Sequence, residues 1–76
     1  MPYYLTMDRV TVTSTTMTSV GYDPDARILE IEFTGGAIYQ YLEVPEEMFR
    51  DLLAAESKGR YFNLVFKPCG FDYLQL

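Results

Sequence analysis

Residues 28–42, "ILEIEFTGGAIYQYL", decide the fold. Leu29, Ile31 and Phe33 alternate with Glu30 and Glu32, the period of two that predicts a strand with one apolar face. "TGG" turns the chain and "AIYQYLE" runs back. The length of that turn decides where Tyr39 and Tyr41 stand, because residues directly opposite in an antiparallel hairpin share a face. A two-residue loop sets odd positions against even ones. Leu29, Ile31 and Phe33 then share their face with Ile38, Gln40 and Leu42, and both tyrosines join the glutamates toward water. A three-residue loop, Thr34 to Gly36, sets odd against odd and brings Tyr39 across from Ile31 and Tyr41 across from Leu29, on the core face. Gly36 favours the longer loop, since a type I turn closed by a bulge needs positive φ there. Gly35-Gly36 as a type I′ pair is the shorter alternative. The longer loop leaves Ile28, Ile38 and Leu42 beside the glutamates, a partly apolar outer face for a partner or the C-terminal tail to cover.

Upstream, "RVTVTST" (residues 9–15) alternates Val10 and Val12 with threonines and predicts a strand. "TMTSVGY" predicts a second, weaker one, in which Gly21 marks a bulge or a close backbone approach. "DPDA" (residues 23–26) is a turn: Pro24 pre-sets φ and Asp23 can accept from the backbone ahead of it. Residues 1–8 form a lead-in, with Tyr3, Tyr4 and Leu5 free to pack down or not. Downstream, Pro45 suits a first helical position and Glu46 and Glu47 favour the positive end of the helix dipole. Met48, Phe49, Leu52, Leu53 and Ala55 make one apolar stripe. Ser57 then caps a second short helix in which Phe62, Val65 and Phe66 lie at i, i+3 and i+4. "FDYLQL" (residues 71–76) is a last strand or a tail. The expected architecture is α+β: one domain over residues 9–76, an antiparallel three- to four-stranded meander with one or two helices on one face.

Composition narrows the chemistry. The chain has 76 residues, one cysteine and no histidine, so neither an internal disulfide nor a structural zinc cluster is available. No cofactor or metal is expected. Residues 1–10 lack a basic start followed by an apolar run, and no stretch is long and apolar enough to span a bilayer, so a membrane is not an expected partner and the cytoplasm is the expected setting. The net charge of −5 argues against a non-specific phosphate grip while leaving room for a local basic patch. An enzyme is not expected: without histidine there is no Ser–His or Cys–His pair, and Glu30 and Glu32 read as a solvated strand face. Cys69, between Pro68 and Gly70, reads as an inert thiol in a turn.

Two clusters remain. Tyr39 and Tyr41 either stack bases or pack in the core with their hydroxyls at the rim of the sheet. "SKGRYFN" (residues 57–63) with Lys67 holds half of the six basic residues. There Lys58, Arg60, Tyr61, Asn63 and Lys67 either receive a phosphate or form a solvated helix junction, with Gly59 allowing close packing and Asn63 bonded to local backbone.

The run from Ser19 to Asn63 resembles the KTSC domain. The marks are the central Tyr-x-Tyr, here Tyr39 and Tyr41, then the Val44-Pro45 helix start, then "SKGRYFN". The family is found as a small bacterial domain on its own and at the C-terminus of some lysyl-tRNA synthetases. That attachment implies RNA as a partner, by association. The chain departs from the family pattern at "LVF" (residues 64–66) and matches it loosely in "PCGFDYLQL". Two roles are therefore expected: a non-catalytic nucleic-acid-binding module, or a protein-interaction module, including a homo-oligomer paired through an edge strand such as "RVTVTST".

Overall fold

The computed structural model describes residues 7–76. Tyr3, Tyr4 and Leu5 lie outside the described residues. Five strands form one sheet in the order β1 (Val10–Thr11), β2 (Met17–Asp23), β3 (Ile28–Phe33), β4 (Ile38–Tyr41) and β5 (Tyr73–Gln75). All neighbours are antiparallel. Helix α1 (Glu46–Ala54) follows β4. Helix α2 (Lys58–Tyr61) then runs without a break into a π-helical turn (Phe62–Phe66) and a 3-10 turn (Lys67–Cys69). This is the expected α+β meander, with one strand more than expected because the C-terminal residues pair with β4.

The hairpin takes the longer loop. Leu29 pairs with Tyr41 and Ile31 with Tyr39, and Phe33 N–H donates to the Ala37 carbonyl at 2.8 Å. The turn itself differs from the expected type I: Gly35 has φ 104° as well as Gly36 at 103°, the positive value that a type II turn requires at its third residue. Both glycines are therefore used. A bulge between Met17 and Ser19 shifts the β2–β3 register. Met17 and Val20 are three positions apart, and the extra residue is what lets both face the core. Asp23 closes the next turn as expected, its carboxylate accepting from the backbone of Asp25 and Ala26 at 3.0 and 3.2 Å.

Three local expectations need correction. The "RVTVTST" strand is only two residues long, because the Ser14 hydroxyl accepts from Thr16 and Met17 N–H at 3.0 and 3.3 Å and offers the backbone a turn in place of a ladder. Pro45 is the N-cap, with extended ψ of 142°. Val65 is not a core residue: it is 45% exposed, while Phe62 and Phe66 are buried. The i→i+5 pattern of a π turn advances less per residue than an α-helix, so i+4 returns under i and i+3 falls to the side.

The core is Met17, Val20, Leu29, Ile31, Val44, Leu52, Phe62 and Phe66. Leu52 is the buried anchor of α1. Phe49 stacks on Tyr22 at 5.2 Å, and the Tyr22 hydroxyl donates to the Val44 carbonyl, pinning the helix entry to β2. A methyl group on Gly59 would lie 2.5 Å from Thr16 Oγ1, so only glycine lets α2 seat against the 13–16 loop.

The opposite face of the sheet is not solvated. Glu30 is 1% exposed. Residues 7–9 cross that face over Gly21, where a methyl would stand 2.6 Å from the Asp8 carbonyl oxygen. Met7 is buried there, and Arg9 reaches the acids. Its guanidinium is hydrogen-bonded to Glu30, lies 3.7 Å from Glu32 and donates from Nε to Ser19 Oγ at 2.8 Å. Ser19 donates to Glu32 at 2.9 Å, and Gln40 Nε2 donates to Glu30 at 2.8 Å. The glutamate is buried because charge-assisted bonds replace its hydration. Ile28 is buried and Ile38 and Leu42 are half-buried, so the partly apolar outer face is covered in part by the chain's own N-terminal segment.

Removing one member of a buried ion pair strands the other charge. Arg9→Met is expected to cost about 3 to 5 kcal/mol in urea unfolding. The double variant with Glu30→Gln is expected to recover most of that loss. Equal destabilisation by the single and double variants would contradict the pairing.

Candidate functional site

The odd-to-odd register puts Tyr39 and Tyr41 on the helix side of the sheet, and β5 sets Tyr73 opposite Tyr41. The three rings lie together. Tyr39 and Tyr41 are nearly parallel with centroids 6.1 Å apart, and Tyr73 is 5.5 Å from Tyr39 and 5.8 Å from Tyr41. Tyr41 also packs edge-on against Phe66 at 5.0 Å and Phe62 at 5.9 Å. Tyr39 meets Phe33 edge-on at 5.6 Å. Such contacts fix ring directions, because the electropositive edge of one ring seeks the face of another. Tyr41 and Tyr39 are thus neither wholly core nor a free platform. Tyr41 packs against the core, Tyr39 rests on Phe33 and Tyr41, and both line a groove.

That groove has a volume of about 660 Å³. The strands contribute Tyr39, Tyr41 and Tyr73, the helical segment contributes Phe62, Phe66 and Lys67, and the connection contributes Gly70 and Phe71. Gly70 takes the left-handed conformation, φ 70°, which ends the helical segment and turns the chain back toward β5. Phe71 leans on Phe66 at 5.0 Å. Among the described residues, one ammonium and no carboxylate occur in the lining. Asp72, between two lining aromatics, is not part of it.

Burial, and after it the neighbouring phenols of Tyr39 and Tyr73, push the Tyr41 hydroxyl up to about 12. It stays protonated and neutral, able both to donate and to accept.

The remaining predicted residues are dispersed. Tyr61 faces α1: its phenol is raised first by burial and then by Asp51, Cys69 and Glu47. Lys58 donates to the Ala55 carbonyl at 3.0 Å and caps the end of α1. It borders a second, hydroxyl-rich cleft of about 390 Å³ with Thr13–Thr16 and Ser57. Ser57 caps α2 as expected, accepting from Arg60 N–H at 3.3 Å. Arg60 and Asn63 are exposed on the helical segment, outside the groove lining. Only Lys67, of the predicted basic cluster, joins the tyrosines. Tyr73 and Phe71 are the site residues that sequence reasoning missed. Their one signal is the alternation in "FDYLQL", which sets both aromatics at odd positions, although only Tyr73 falls in β5 and Phe71 precedes it. Among the described residues no group of three or more His, Cys, Asp or Glu could hold a metal ion, and no helix is long and apolar enough to cross a membrane.

Fold and groove together define a small α+β domain built as an antiparallel meander, with an aromatic, cation-edged cleft between its last strands and its second helical segment. The KTSC domain model matches residues 13–71, and the chain belongs to that family. A protein of Stutzerimonas stutzeri (strain A1501), described as uncharacterized, is 49% identical over 70 residues, spanning 92% of this chain and 99% of its own length. A lysine–tRNA ligase of Nostoc sp. is 42% identical over 55 residues, which span 72% of this chain and 10% of the ligase. The crystal structure of a KTSC domain protein from Yersinia pestis superimposes with a TM-score of 0.84 at 44% identity. It covers 93% of this chain and 99% of that one.

The raised Tyr41 phenol has a testable sign. Unfolded tyrosine loses its proton near pH 10; folded Tyr41 holds its own to about 12. Between those values the unfolded state binds fewer protons, so the contribution present below pH 10 is lost as pH rises through the window. The urea midpoint of Tyr41→Phe is expected to fall less steeply than that of the parent between about pH 10 and 12. Parallel slopes would contradict it.

Proposed function

We propose that this KTSC domain is a non-catalytic binding module for nucleic acid, RNA first, with the tyrosine groove as its site. The observation that carries this reading is a charge contrast. In a chain with 11 acidic and 6 basic residues, the aromatic groove has one lysine and no carboxylate in its lining. Aromatic faces stack on bases of any sequence, and a cation beside them meets the phosphate. Tyr39, Tyr41 and Tyr73 supply the faces and Lys67 the cation. Arg60 and Asn63, exposed outside the lining, are not needed for this grip. Lys58 and Tyr61 are secondary, one held by Ala55 and the other by α1. The similarity to lysine–tRNA ligases supports RNA by association. The proposed unit is the single domain of residues 9–76, working in the cytoplasm, where the exposed Cys69 stays reduced.

One observation favours a second reading, a protein-interaction or homo-oligomerisation module. Among the described residues strand β5 is an edge of the sheet, with Tyr73 and Leu74 exposed on it and Leu76 exposed beyond it. It carries neither a proline nor a lysine of the kind that guards edges.

Labelled single-stranded RNA titrated at low salt is expected to bind the parent chain. Tyr39→Ala is expected to weaken it roughly fivefold or more, the cost of one lost stacking ring. Absence of binding at low salt would remove the first reading. A dimer mass in solution that Leu74→Lys converts to a monomer mass would establish the second.

A further inference from the structure

We infer that the groove takes unpaired nucleotides only, holding them by base faces and at a single phosphate, so that its affinity changes little with salt. This rests on the nucleic-acid reading above and narrows it to one ligand class and one balance of forces.

The geometry of the rings argues for unpaired bases. For a base to stack on a tyrosine ring, the base's own face must be free. In a duplex the faces of the bases are consumed by their own stack, and only edges, sugars and phosphates are presented. The three tyrosines stand in a cleft between the sheet and the helical segment, among Phe62, Phe66 and Phe71. A double helix cannot turn a base face into it. The cleft volume of about 660 Å³ lies in the range of sites for single small ligands. Tyr73 is the contact most able to adjust. It is 58% exposed and belongs to a three-residue edge strand.

Charge then sets the salt dependence. Each phosphate neutralised on a single strand contributes a slope of about −0.7 in log association constant against log salt. The lining supplies one cation, Lys67. The net charge of −5 repels the rest of the polyanion and offers no wider phosphate track. Stacking, which salt hardly screens, must therefore provide most of the affinity.

The test is fluorescence anisotropy of a short labelled RNA, single-stranded and annealed to its complement, between about 50 and 200 mM salt. The single strand is expected to bind and the duplex not, with a slope of about −0.7. Lys67→Gln is expected to bring the slope to about zero. Tyr73→Ala is expected to weaken binding roughly five- to hundredfold at every salt concentration without changing the slope. Tyr73→Phe, which keeps the ring, is expected to bind as the parent does. Circular dichroism and the urea midpoint of each variant separate lost contact from lost fold. Duplex bound as tightly as single strand, or a slope steeper than about −2, overturns this inference and leaves nucleic-acid binding standing. No nucleic acid bound at low salt overturns both.

Discussion

The pairing of Ile31 with Tyr39 across a three-residue corner is the constraint on which the rest of the molecule depends. Side chains on a strand alternate faces, so a loop shorter by one residue would exchange the two faces of β4. Gln40 would then enter the apolar core and both tyrosines would stand beside Glu30 and Glu32. The corner holds because Gly35 and Gly36 both take positive φ, which costs a glycine little and other residues more. With the register set, Gln40 lies across from Glu30 and donates to it, while Tyr41 meets Phe62 and Phe66.

The two faces of the sheet are closed by different means. On one, residues 7–9 lie over Gly21 and deliver the Arg9 guanidinium to Glu30, Glu32 and Ser19. A buried carboxylate without that cation would carry a large desolvation penalty, so the N-terminal segment and the acidic stripe of β3 belong to one unit. On the other, α1 and the π-helical segment bury the centre of the sheet through Leu52, Phe62 and Phe66. A chain of 76 residues has too little volume to cover every apolar surface. Part of what stays uncovered lies beside β4 and β5, and that is where the groove is.

The groove is a local reversal of the chain's charge. The proposed nucleic-acid grip requires a place on an acidic protein where its own acids are absent. The arrangement meets that condition by committing Glu30 and Glu32 to Arg9 on the far face and leaving Lys67 as the charged group of the cleft. The related segment in a lysine–tRNA ligase occupies a tenth of that enzyme.

Much was legible from residue order alone. The alternation of "ILEIEF", the double glycine and the stripe from Met48 to Leu53 mark the hairpin and the helix, and Tyr39–Tyr41 together with Val44-Pro45 and "SKGRYFN" mark the family, while the length of the turn stays open. Each is a local pattern, carried by residues within a few positions of one another. Other features needed tertiary structure, because they join residues distant in sequence. Arg9 pairs with Glu30 across 21 positions, and nothing near either residue marks the partner. Lys58 and Lys67 look like one cluster, yet a helix of changing pitch points one at Ala55 and the other into the groove. Tyr73 becomes a site residue only because β5 returns to pair with β4. Periodicity in a sequence records which face a residue takes; only the folded chain decides which other face it meets.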